Sequence, residues 1–71
     1  MKIRVGDKVR HKLFGGETKE GTITDIEICK LGTKEGRTVT QCDLDKHPNV
    51  VCDIDNGHWC YASQIIEIIN N

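Results

Sequence analysis

Apolar and polar residues along this chain alternate with a period of two, and no window sustains a 3.6-residue apolar period, so strands are expected and a long helix is not. Ile3, Val5 and Val9 fall on one parity, and Lys2, Arg4, Lys8, Arg10 and Lys12 on the other. That spacing predicts a first strand with an apolar inner face and a basic outer one. Gly6-Asp7 interrupts it as a turn or bulge, where the parity can shift. Leu13-Phe14-Gly15-Gly16 ends the strand, and residues 15–20, polar and glycine-rich, read as an exposed loop.

Residues 21–29 predict a second strand. Ile26 and Ile28 share a parity that Ile23 does not, so a bulge between them is needed for all three to reach a core. Residues 30–37 read as a second loop, with two glycines and mixed charge. Residues 38–44 predict a third strand rich in β-branched side chains. Residues 45–49 predict a turn, because Pro48 cannot donate to a ladder and restricts the residue before it. A hairpin spans residues 50–61. Ala62-Ser63-Gln64 is a short polar break, read as one 3₁₀ turn, and residues 65–69 predict a closing strand before Asn70 and Asn71 fray.

The hairpin admits two registers. If Asn56-Gly57 forms a two-residue type I′ turn, Ile54 faces Trp59 and Cys52 faces Tyr61. Val50, Cys52, Ile54, Trp59 and Tyr61 then share an apolar face, and Asp53, Asp55, His58 and Cys60 the other. If Asp55-Asn56-Gly57 forms a three-residue loop with Gly57 left-handed, Ile54 faces His58 and Cys52 faces Cys60. Trp59, Tyr61 and Val51 then turn outward beside Asp53. A slip of one residue exchanges the faces. The first register gives the more consistent apolar face and is the expectation.

Length and charge narrow the function classes. Seventy-one residues make one domain, 1–71. A chain this short buries only about 60% of its unfolded surface, so a deep catalytic cleft is hard to build and a surface or shared site is more plausible. With 37% apolar and 30% charged residues it fits a folded, soluble domain. No apolar stretch follows Met1, so neither a signal peptide nor a membrane span is expected, and a cytoplasmic location is. There the four cysteines are expected as free thiols. Net charge is −1 but uneven: residues 1–37 carry nine Lys/Arg and six Asp/Glu, residues 38–71 one Lys and five Asp/Glu. Such a dipolar surface can orient a partner or a second copy, without the overall basicity of a dedicated nucleic-acid binder.

The basic row Lys2, Arg4, Lys8, Arg10 and Lys12, with His11, is the leading candidate for contact with phosphate or an acidic protein surface. Lysines on a strand edge also serve simply against aggregation. In the second register Trp59 and Tyr61 would add stacking contacts. Cys29, Cys42, Cys52 and Cys60 with His11, His47 and His58 could hold zinc, but the cysteines lie one per strand and lack the Cys-x₂₋₄-Cys knuckle. A Cys52–Cys60 disulfide is possible only in the second register. Asp53-Ile54-Asp55-Asn56-Gly57 lacks the remaining ligands and helices of a calcium loop. Ser63 and His58 have no elbow motif to position them as a catalytic pair, and no phosphate loop is present.

Val5-Gly6-Asp7-Lys8-Val9-Arg10, Gly21-Thr22-Ile23, Ile54-Asp55-Asn56-Gly57 and the Ile65/Ile68 ending resemble small SH3-like modules of the Tudor and KOW kind. That resemblance implies an all-β SH3-like barrel of about five strands, docking on protein or nucleic acid. Val5-Gly6-Asp7-Lys8-Val9-Arg10, Gly21-x-Ile23, Cys29, and Tyr61 followed by Ile66-Glu67 and Ile69-Asn70 are also similar to type II plasmid dihydrofolate reductases, barrels that build one active site at the centre of a tetramer. Their pore segment Val-Gln-Ile-Tyr corresponds here to His58-Trp59-Cys60-Tyr61, where only the tyrosine matches, so the activity is not carried over. The reading is a non-enzymatic interaction module without a cofactor, of open oligomeric state, with binding residues Arg4, Lys8, Arg10, His11, Lys12, Trp59 and Tyr61. A reductase-like oligomer and a zinc-stabilised module are the alternatives.

Overall fold

The computed structural model describes residues 1–29, 36–47 and 49–69. Among these, eight strands run β1 Lys2–Arg4, β2 Lys8–Lys12, β3 Thr18–Cys29, β4 Gly36–Val39, β5 Gln41–Asp43, β6 Val50–Ile54, β7 Trp59–Tyr61 and β8 Ile65–Ile68. The fold is all-β, with one 3₁₀ turn, Ala62–Gln64, immediately before the last strand, where it is expected. All pairings are antiparallel. Strands β7-β6-β3-β2-β8 form one open path with β4 added on β3, and β1 and β5 pair as a separate two-stranded sheet. No helix among the described residues is long and apolar enough to cross a membrane.

More and shorter strands appear than the roughly five expected, and the reasons are local. Residues 4–7 form a tight turn: the Asp7 amide donates to the Arg4 carbonyl at 3.0 Å, and Asp7 Oδ2 accepts the Arg4 amide at 2.9 Å. This splits the expected first strand into β1 and β2, in different sheets, and leaves Val5 exposed instead of inward. Residues 18–20, expected in a loop, are strand: they pair with residues 10–12, and the Leu13 amide closes the turn on the Glu17 carbonyl at 2.7 Å. The expected third strand breaks at Thr40, where the chain leaves β3 for β1, and Gly36 and Arg37 join β4 instead of a loop. Residues 30–35, Pro48, Asn70 and Asn71 lie outside the described residues.

The expected bulge is present: the β3–β6 register shifts between Ile23 and Asp25, and Ile23 and Ile26 are both buried while Ile28 packs against the core from its edge. Both sheets feed one core. Ile3 and Cys42 enter from β1 and β5, Val9 from β2, Val50, Cys52 and Ile54 from β6, and Cys60 and Ile65 from the chain's end.

The hairpin takes the second register, overturning the expectation. Cys52 pairs with Cys60 and Asp53 with Trp59. The Ile54 amide donates to the His58 carbonyl at 2.9 Å across a loop in which Gly57 holds φ at +86°. The loop is also docked. Asp55 Oδ1 accepts the Thr22 amide at 2.8 Å, and the Asp55 amide donates to the Thr22 carbonyl at 2.9 Å. Asn56 Nδ2 donates to the Glu20 carbonyl at 3.2 Å. Gly21 permits this approach, since a Cβ there would stand 2.4 Å from Ile54 Cγ2 and 2.9 Å from Asn56 Nδ2.

Gly21→Ala should therefore destabilise the protein by about 2 kcal/mol, in the range for overpacking. Gly15→Ala, where an added Cβ meets nothing within 4 Å, should leave the urea midpoint nearly unchanged. Equal midpoints for the two variants would refute the docking account.

Candidate functional site: an exposed aromatic cluster

The second register has a direct surface consequence. Residues 59 and 61 point to the same side of β7, away from the core side taken by Cys60, and Trp59 and Tyr61 are 48% and 46% exposed. Phe14, 77% exposed, joins them from the β2–β3 turn. All three aromatic residues of the chain thus form one cluster. Trp59 and Tyr61 are 5.1 Å apart with planes at 89°; Phe14 is 6.1 Å from Trp59 at 69° and 6.3 Å from Tyr61 at 77°. These edge-to-face arrangements are mutually attractive and leave much of the ring surface in water.

Gln64 holds the cluster together. Its Nε2 donates to the Lys12 carbonyl at 3.0 Å and its Oε1 accepts the Tyr61 amide at 2.8 Å. One side chain of the 3₁₀ turn thus ties the end of β2, two residues before Phe14, to the end of β7. Asp53 and Val51 face Trp59 and Tyr61 across the ladder, so the near border of the patch is acidic on one side and apolar on the other. Phe14 is the residue the sequence reading missed. Its signal was an aromatic side chain stranded in an otherwise polar, glycine-rich stretch.

The basic row is not one surface. Lys2 and Arg4 belong to the two-stranded sheet, and Lys8, Arg10 and Lys12 to the larger one. Arg10 pairs with Glu20 at 3.1 Å and with Glu67, and the Glu20 hydrogen bond, ahead of the Glu67 charge, raises its pKa. Held between two carboxylates, it is a poor anchor for an outside phosphate. Lys12 is exposed at the end of β2, next to the Leu13–Phe14 turn.

His11 is withdrawn from the surface. It shares the inward parity of Val9 and is fully buried, its Nε2 3.1 Å from Asn56 Nδ2 and its ring 6.2 Å from that of His58. Its Nδ1 has no hydrogen-bond partner among the described residues. Burial, ahead of the nearby His58, lowers its pKa.

Cys42, Cys52 and Cys60 are buried free thiols and Cys29 is a half-buried one. Burial pushes Cys52 up to about 12 and Cys60 up to about 11. Such thiols stay protonated at neutral pH, whereas nucleophilic attack needs the thiolate. No group of three or more His, Cys, Asp or Glu able to hold a metal is found among the described residues.

The chain matches no protein-family model, and no curated protein or solved structure matches it significantly.

Two measurements check this site. Above the ordinary histidine value of 6.5 both folded and unfolded His11 are neutral. Below it the unfolded chain takes up a proton that the buried site resists, so stability should fall as pH drops through that value. The acid-side slope of the urea midpoint should be shallower in His11→Gln, and an unchanged slope would place the titration elsewhere. A thiol reagent should modify Cys29 first in the native protein and reach the other three cysteines only on unfolding. Prompt native-state modification of Cys52 or Cys60 would contradict their burial.

Proposed function

We propose that the chain is a small SH3-like barrel acting as a non-enzymatic interaction module, and that it engages an extended peptide segment of a partner protein through Phe14, Trp59 and Tyr61. The observation carrying this reading is that every aromatic side chain of the chain is spent on one exposed cluster instead of on the core. A domain this small can ill spare apolar area, and clustered exposed rings mark interaction surfaces. The SH3-like assignment draws on the strand order β8-β2-β3-β6-β7 and on the 3₁₀ turn before β8.

A peptide is favoured over a nucleic-acid strand by the charges around the rings. Single-strand binders set stacking rings in a positively charged groove. Here Asp53 sits opposite Trp59, Arg10 is engaged by Glu20 and Glu67, and the net charge is −1. Mutually perpendicular rings offer faces and edges to aliphatic or proline side chains, as in aromatic-lined peptide grooves. No observation favours the reductase-like or the zinc-stabilised reading.

Trp59 reports on its own site. A proline-rich peptide should change its fluorescence saturably, and Phe14→Ala should weaken binding about tenfold, or 1.4 kcal/mol. Because Phe14 is largely exposed, that variant should keep the native urea midpoint within about 0.5 kcal/mol. A response to oligothymidylate instead, suppressed by salt, would transfer the surface to nucleic acid. No response to either would sink the aromatic-site proposal.

A further inference from the structure

A second concavity lies apart from the aromatic cluster, lined from β1 and β5, from β3 and β4, and from β8. Its volume is about 640 Å³, within the range of small-molecule sites. Ile28, Val39 and Ile68 supply apolar wall, and Lys2, Arg4 and Arg37 supply three cationic groups. The ladders explain the convergence. Lys2 and Arg4 are two apart on β1 and so share a face. Arg37 and Val39 are likewise two apart on β4, alongside Ile28 and Ile26 of β3.

These cations lack the partners that Arg10 has. The side chains of Lys2, Arg4 and Arg37 make no ion pair and no hydrogen bond among the described residues. Two acids share the lining and each accepts a main-chain hydrogen bond, Asp7 Oδ2 from the Arg4 amide and Asp43 Oδ1 from the Asp45 amide at 3.1 Å. Set against these two carboxylates, the three cationic groups leave the partly apolar hollow with an excess of positive charge that an anion would balance. A guanidinium suits it well, since its planar fork takes an oxyanion through two parallel hydrogen bonds.

We propose that this groove is a binding site for a small organic oxyanion, a phosphate or carboxylate on an apolar body. The charged group sits among Lys2, Arg4 and Arg37, and the apolar body lies on Ile28, Val39 and Ile68. The site does not depend on the aromatic cluster, and either proposal stands if the other fails.

The test is a ¹⁵N–¹H titration of the full chain with phenyl phosphate, benzoate, inorganic phosphate and neutral benzyl alcohol. Phenyl phosphate or benzoate should shift the amides of residues 2–4 and 37–43 saturably, and whichever binds tighter names the oxyanion. Inorganic phosphate should bind about tenfold more weakly than phenyl phosphate, for want of an apolar body, and benzyl alcohol should not saturate. Arg4→Gln and Arg37→Gln should each weaken binding about tenfold, while Lys12→Gln, outside the groove, should leave it unchanged. Both arginines are exposed, so native spectra are expected for both variants. The proposal is overturned by no saturable shifts, by shifts spread equally over residues 8–12, or by full affinity in both arginine variants. A single-stranded oligonucleotide that shifts the groove amides where the small anions do not would also overturn it and assign the surface to nucleic acid.

Discussion

Three residues of one loop, Asp55, Asn56 and Gly57, constrain most of what lies around them. Gly57 supplies a backbone angle that other residues rarely adopt, while Asn56 stays out of the positive-φ region that a two-residue type I′ turn would require, and the loop so built holds three residues instead of two. That single residue decides which side chains of β7 face the core. With three, Cys60 packs inward against Cys52, and Trp59 and Tyr61 stand outside. The loop's side chains then fasten this choice from a distance, Asp55 to Thr22 and Asn56 to Glu20 and His11. The same loop that sets the ladder therefore also packs over Gly21, and the position of the rings follows from it.

The elements legible from the sequence were those with a local cause. The β-rich class, the bulge that reconciles Ile23 with Ile26, and the 3₁₀ turn before the last strand all follow from parity and from short breaks in it. The hairpin register was not legible, because both pairings satisfy the local pattern almost equally. The first even looks better, since it buries two aromatic residues that the second exposes. What decides between them are contacts to residues more than thirty positions away. His11 failed as a surface cation for a simpler reason: its parity is that of Val9, and parity outweighs charge when the side chain is neutral and can meet Asn56. The basic row looked continuous because Gly6-Asp7 leaves the parity intact, although it sends β1 into a different sheet.

The protein distributes charge and apolar surface differently on its two candidate faces. Around the rings, Asp53 stands opposite Trp59 and Arg10 is matched by Glu20 and Glu67, with exposed Lys12 beside the Leu13–Phe14 turn. Around the groove, Lys2, Arg4 and Arg37 outnumber Asp7 and Asp43 beside aliphatic wall, and their side chains make no ion pair among the described residues. The first arrangement suits a partner read by shape and apolar contact; the second suits a charged small molecule. The aromatic side chains are thus outside, and the interior is filled by isoleucine, valine and cysteine. Cysteine serves there as a compact apolar residue, small enough to let β6 and β7 approach with a thiol on each strand.

Strand β3 gives the fold its kinetic character. Twelve residues long, it pairs with β2, β4 and β6. The β2–β3 hairpin closes over a short turn and can form early, since nearby segments meet at little cost in chain entropy. Strand β4 is similarly local, but β6 is more distant, and β2 itself must wait for β8, with Val9 meeting Ile68. A chain arranged in this way collects its long-range contacts last and together. Closing those distant loops costs the most chain entropy in assembling the sheet, and a nascent chain cannot complete the main sheet until β8 has been synthesised.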